Sequence, residues 1–288
     1  MNKDGKIFNA FNIVIVSIVT ITILFPIINV VALSFNDASD AMSGGIYLWP
    51  RVFSFANYRA VLQNSDIYRA FIISVEKTVV GVVTHVLFTA MVAYGMSHKE
   101  LKFRNIYMKM GIFAMFFGGG MVPYFLLIKA LGLYNSFWVY IWPALFSFYN
   151  MIIIMNFFKD LPPALSESAQ VEGAGHFYIF TRIYLPLSVP VLATIALFIG
   201  VAQWNEYMPA RLFVPNTKLW PLQMLLYQII IKSQTARMVN NMTSVVIQTS
   251  TRGVQLATMV ITTLPIVLIY PLLQRYFISG MLVGAVKE

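Results

Sequence analysis

Leu161-Pro162-Pro163-Ala164-Leu165-Ser166-Glu167-Ser168-Ala169-Gln170-Val171-Glu172-Gly173-Ala174-Gly175-His176, continuing to Ile183-Tyr184-Leu185-Pro186, separates two long apolar runs. Asp160 followed by two prolines reads as a helix start, because a carboxylate caps free N–H groups and proline suits the first turn. A short helix is expected to about Glu172. Gly173 then permits a left-handed turn that reverses the chain, and a second helix runs toward Pro186, which introduces the next apolar run.

The rest of the chain says what surrounds this stretch. Of 288 residues, 59% are hydrophobic and 11% charged, whereas soluble domains carry roughly 25% charged residues. Such a chain cannot hide its apolar groups in one globule, so lipid is the expected solvent for much of its surface. The 15% aromatic content suits two interfacial belts. A net charge of +9 fits basic membrane flanks; without a basic cluster interleaved with aromatics, nucleic acid is not an expected partner. Cysteine is absent, which excludes disulfides, thiolate metal sites and cysteine nucleophiles. His85, His98 and His176 have no recognisable metal spacing and read as structural or interfacial, so no metal or cofactor is expected. No nucleophile–base pair emerges, which argues against an enzyme.

Six apolar runs of about 20 residues read as transmembrane helices, at about 12–35, 70–96, 110–129, 137–158, 185–207 and 254–278. The first, after Lys3 and Lys6, is longer than a signal-peptide core and lacks a small-x-small cleavage site. Pro26 and Asn29 within it require a packed bundle. Lys and Arg divide about evenly between the two sides, but the densest short loop, His98 to Arg104, favours both termini in the cytoplasm. Two external stretches are then long, about 36–69 and 208–253. The second contains the thirteen mostly apolar residues Leu219 to Ile231, which read as an interfacial or re-entrant segment. Residues 1–288 read as a single all-α membrane domain, with a cytoplasmic loop at about 159–184 and a tail at about 279–288.

A cytoplasmic helix–glycine–helix ahead of a span is a lever for a soluble partner, and the stretch resembles the Glu-Ala-Ala loop of ABC importer permeases. Glu167, Ala169, Gly173, Ile183, Leu185 and Pro186 fall on that pattern, with Ser168 departing at its second position. Phe117-Gly118-Gly119-Gly120-Met121-Val122-Pro123, Leu131-Gly132-Leu133, Gln203-Trp204-Asn205-Glu206, and Gln274-Arg275-Tyr276-Phe277 with Gly280 and Gly284-Ala285-Val286-Lys287 are similar to the carbohydrate branch that contains maltose and alginate permeases. The resemblance implies a type-I importer fold in a bacterial plasma membrane and a sugar or oligosaccharide substrate. It also implies a second homologous permease forming a heterodimer, two ATP-binding-cassette ATPase subunits and an extracellular or periplasmic solute-binding protein. No Gly-x-x-x-x-Gly-Lys-Ser/Thr loop is present, so nucleotide binding falls to a partner.

By that resemblance Glu167, Ser168, Ala169, Glu172, Gly173 and Ala174 couple to the ATPase, Glu167 through a basic group and Ala169 by packing into a cleft; a solvated surface charge is the plainer reading of Glu167. Ile183, Leu185 and Pro186 join loop to span. Gln203, Trp204 and Asn205 combine an indole with two amides, which suits a sugar, although tryptophan is also a belt residue. Glu76 and Lys77 lie inside the second span and read either as pathway or subunit-interface groups or as snorkelling charges. Gly118 to Gly120 read as a close helix approach or, alternatively, as backbone facing a cavity. Gly280, Gly284 and Lys287 form either a contact between ATPase subunits or a frayed terminus. Arg51, Arg59 and Arg211 fit an acidic sugar or equally membrane flanks. Two alternatives remain: an importer for a non-sugar solute, and an ion-driven secondary transporter, for which Glu76 is the only good ion site.

Overall fold

The computed structural model describes residues 3–37, 40, 45, 48–239, 252–269 and 271. Among these the regular structure is helical: α1 (Lys3–Ser34), α2 (Ala56–Leu62), α3 (Ser65–Ser97), α4 (Arg104–Phe116), α5 (Met121–Ala130), α6 (Phe148–Asp160), α7 (Ala164–Val171), α8 (His176–Leu187), α9 (Val189–Asn205), α10 (Met208–Phe213), α11 (Leu222–Val239) and α12 (Arg252–Ile269). The described residues fall into two compact units, within Met1–Tyr68 with Leu225–Pro265, and within Arg69–Met224 with Ile266–Glu288.

Among the described residues, three helices are long and apolar enough to cross a membrane: Phe8–Ser34 within α1, α3 and α12. At 1.5 Å per residue, α3 extends about 50 Å, so its ends project beyond a hydrocarbon core of about 30 Å. In α1 the hydroxyls of Thr20 and Thr22 donate to the carbonyls of Val16 and Ile18, which satisfies them without water. The count rises to five if two bent pairs each form one crossing. One pair is α4 and α5, bent by 115° across Phe117–Gly120; the other is α8 and α9, bent by 80° at Ser188.

This differs from six straight spans in two places. The third expected span is broken because Phe117 turns extended and Gly120 takes φ +84°. Gly118, Gly119 and Gly120 have no neighbour within 4 Å of an added Cβ, so they mark a break and not the close packing expected of them. The fourth, 137–158, is helical only in α6; before it lie a 3₁₀ turn at Phe137–Tyr140 and an irregular stretch with Pro143. Thirteen residues of helix rise only about 20 Å, too little for a crossing.

In the first unit, Phe35 stacks on Phe53 and Tyr58 with centroids 5.5 and 4.5 Å apart. Asn57 donates to the carbonyls of Ser34 and Asn36, closing the end of α1 against α2. The second unit is built on α3, α6, α8 and α9. Met151, Ile154, Met155 and Phe158 follow the i, i+3, i+4, i+7 spacing of one helix face and meet Ala90, Ala93 and Tyr94 of α3 in the core. At Leu219–Ile231, which reads from sequence as an interfacial or re-entrant segment, the chain forms the longer helix α11.

Candidate functional site

The loop after α6 is positioned by backbone chemistry. Asp160 is the last residue of α6 and not the cap of the next helix; Leu161 is extended, Pro163 precedes α7, and no side chain caps its start. At the other end, Gly173 has φ +84°. The Ala174 N–H donates to the Ala169 carbonyl and the Gly173 N–H to the Gln170 carbonyl, both at 2.9 Å. This pair of 6→1 and 5→2 bonds is the Schellman closure, which needs a left-handed residue at Gly173. The expected turn is therefore present, one residue after the helix ends at Val171 and its cap Glu172.

Ala169 is 9% exposed and packs in the core with Ile179, Phe180 and Tyr184. It points into its own chain, not outward toward a partner's cleft as expected, because the face of α7 that carries it closes onto α8. Glu167, Ser168 and Glu172 are exposed. So are Val171, at 90%, and Phe177; neither was singled out from sequence, since only exposure distinguishes an outward apolar side chain from a core one. His176 meets α3 through Tyr94: the Tyr94 hydroxyl is 3.4 Å from His176 Nδ1, and the His98 and His176 rings are 5.7 Å apart. The two histidines that look scattered in sequence thus share one aromatic cluster.

The second half of the loop is locked to the bundle. Within α8, Phe180–Tyr184 winds as a π-helix just before Pro186, whose ring has no N–H and crowds the preceding turn. Tyr184 is buried edge-on against Tyr94 and Phe158, with centroids 4.8 and 5.2 Å apart. Ile183 and Leu185 pack beside this core, while Pro186 is exposed. A push on α7 therefore reaches α3, α6 and α9 through packed side chains.

At the far end of α9, the structure separates residues that the sequence places together. Gln203 is buried and donates to the Tyr140 carbonyl at 3.2 Å; its Oε1 has no partner. Trp204 is only 6% exposed and sits edge-on to Phe71, so its indole offers no face for a sugar within this chain. Its expected stacking role is replaced by a core role. Asn205 is exposed and accepts from Gln223 at 3.3 Å. Lys77 does not snorkel: it is fully buried, donates to the Glu206 carbonyl at 2.7 Å and lies 5.2 Å over the Tyr140 ring. Its neighbour Glu76 is exposed. His85 is buried between the Ala144 carbonyl and Asn150, a structural role. Among the described residues no group of three metal-ligating side chains forms. Gly280, Gly284 and Lys287 lie outside the described residues.

Long apolar helices, with a glycine-closed helical lever packed onto them, define a multi-pass membrane permease. Protein LplC of Bacillus subtilis (strain 168) is 38% identical over 286 residues, covering 99% of this chain and 96% of that protein. The polygalacturonan/rhamnogalacturonan transport system permease protein YtcP of the same organism is 38% identical over 264 residues, 92% of each chain. Among solved structures, a bacterial ABC transporter involved in the import of the acidic polysaccharide alginate matches with TM-score 0.85 and 28% identity, over 96% of this chain and 99% of that one. No family model matches the chain. The chain belongs to the permease subunits of carbohydrate ABC importers, which are transport proteins and not catalysts.

Proposed function

We propose that this chain forms half of the pathway of an importer for an acidic oligosaccharide, with the α7–α8 loop as its contact to an ATPase subunit. The observation that carries the reading is the loop itself: Glu167 and Val171 face outward while Ala169 and Tyr184 fasten the same element to α3 and α6. ATP-driven closure of two ATPase subunits moves this loop as a rigid body and swings the packed helices between outward and inward openings. A second homologous permease completes the pathway as a heterodimer, and an extracellular or periplasmic binding protein delivers the sugar. Gly280, Gly284 and Lys287 contact the ATPase pair. The acidic character is supported by two relatives whose names concern polygalacturonan and alginate, and by exposed Arg59 and Arg211 on the external stretches. Arg51 is already paired with Asp40 at 3.2 Å. Asn205, exposed at the end of α9, is the pathway group best placed to reach a sugar hydroxyl, and Glu76 and Gln203 belong to the same pathway.

In this reading residues 1–288 act as one permease domain with both termini cytoplasmic and six crossings, the fourth completed by α6 together with the 3₁₀ turn and irregular stretch before it. The alternation of the two compact units along the chain supports one domain, since neither is a continuous segment. Because the chain has no cysteine, orientation is directly measurable. A thiol introduced as Asn64→Cys reacts with a membrane-impermeant reagent in intact cells, and Glu100→Cys reacts only after the membrane is opened; the opposite pattern reverses the topology.

The functional reading is tested in the reconstituted complex with Glu167→Ala. The substitution leaves the Schellman closure intact and removes one charge-assisted contact, weakening docking by about 1–3 kcal/mol. Sugar-stimulated ATP hydrolysis falls while the permease remains inserted and paired. Unchanged hydrolysis removes Glu167 from the interface.

A further inference from the structure

Behind the outward face of the loop, a cavity of about 540 Å³ opens between the end of α3, the turn that follows it, the end of α6 and α7. That volume lies within the usual range for small-molecule sites. Its wall carries His98, Lys99, Arg104 and Lys159, with the carboxylates Glu100 and Glu167 on the same wall. Phe158 and Tyr184 form an apolar floor.

Two of these cations, Arg104 and Lys159, lie close together. The Arg104 Nε donates to the Met96 carbonyl at 2.8 Å, and its Nη2 lies 3.9 Å from Met155 Sδ. Met155 and Lys159 are one turn apart on α6, so the guanidinium and the ammonium share one helix face. Partial burial and the Arg104 charge hold the Lys159 ammonium below its usual range. Among the described residues, Lys99, Arg104 and Lys159 form no ion pair. An anion between them relieves their repulsion and gains charge-assisted hydrogen bonds.

We propose that this cavity binds a phosphorylated sugar or polyol, its phosphate held by Arg104, Lys159 and Lys99 and its hydroxyls donating to Glu100. The mixed charges select this class. A carboxylate without hydroxyls leaves Glu100 facing like charge, and a neutral sugar leaves the cations unneutralised. Because Glu167 and Gln170 of α7 line the cavity, occupancy ties the loop to α3 and α6. The consequence for transport rests on the coupling reading; the binding does not.

Calorimetric titration of the assembled complex in lipid nanodiscs tests the site, with glucose 6-phosphate, glucose and inorganic phosphate as probes. Glucose 6-phosphate binds, glucose does not, and inorganic phosphate binds about tenfold more weakly for want of the hydroxyl contacts. Lys159→Gln and Arg104→Gln each weaken glucose 6-phosphate by about tenfold, the loss of one charge-assisted contact. Arg104→Gln also removes a bond to the end of α3, whereas exposed Lys159 anchors nothing, so Lys159→Gln separates binding from folding. Absence of binding, equal affinity for inorganic phosphate, or unchanged affinity in Lys159→Gln overturns the site. If glucose 6-phosphate binds as described while Glu167→Ala leaves ATP hydrolysis unaltered, the coupling assignment fails and the anion site stands.

Discussion

Gly173→Val abolishes sugar-stimulated ATP hydrolysis by the assembled importer while the permease still inserts into the membrane. At φ +84° the glycine occupies the left-handed region, where a side chain costs about 1–2 kcal/mol, most severely when β-branched. An added Cβ meets no atom within 4 Å, so the penalty is one of backbone conformation and not of collision. Relief of that penalty means opening the bonds from Ala174 to Ala169 and from Gly173 to Gln170, each worth about 1 kcal/mol. Once they open, α7 no longer closes onto α8, and Glu167 and Val171 lose their fixed aim. Asparagine tolerates the left-handed conformation, so Gly173→Asn retains most hydrolysis. A Gly173→Val complex that hydrolyses ATP and imports sugar at normal rates contradicts the coupling role.

Trp204→Ala lowers the melting temperature of the purified permease sharply, with little change in sugar affinity in the fraction that survives. The indole is 6% exposed and packs edge-on against Phe71 at 6.0 Å; truncating such a side chain costs about 3–5 kcal/mol. Trp138, at 51% exposure, loses far less on the same substitution. The contrast is read by thermal unfolding in detergent, followed by transport per folded molecule. Normal melting with loss of sugar-dependent transport returns Trp204 to the pathway.

These two residues show what the sequence discloses and what it withholds. Gly173 is legible because a local rule governs it: a short helix, a glycine and an extended continuation have few ways to join, and the structure holds the left-handed turn at Gly173 itself, where it is expected. Trp204 is not legible in the same way. Its exposure depends on Phe71, more than 130 positions earlier, and nothing in its neighbours Gln203 and Asn205 distinguishes a belt, a sugar platform and a core residue. Ala169 fails for the same reason, because its direction is set by packing on Phe180 and Tyr184. Apolar run length finds α1, α3 and α12, where hydropathy alone decides. It does not foresee the breaks within 110–129 and 137–158, where Gly120 and the irregular stretch before α6 interrupt helices whose composition stays apolar. The meeting of His98 with His176 and of Arg104 with Lys159 is likewise a product of tertiary packing.

In the proposed mechanism the outer face of α7 touches an ATPase subunit. Val171, 90% exposed beside Glu167, permits a direct measurement because the chain has no cysteine of its own. Val171→Cys carrying a short photoreactive group is irradiated in membranes containing the whole importer, and adducts are identified by mass. The expected product is a covalent adduct between this chain and an ATP-hydrolysing subunit. An importer that still transports, yet yields no such adduct from Val171→Cys, contradicts it.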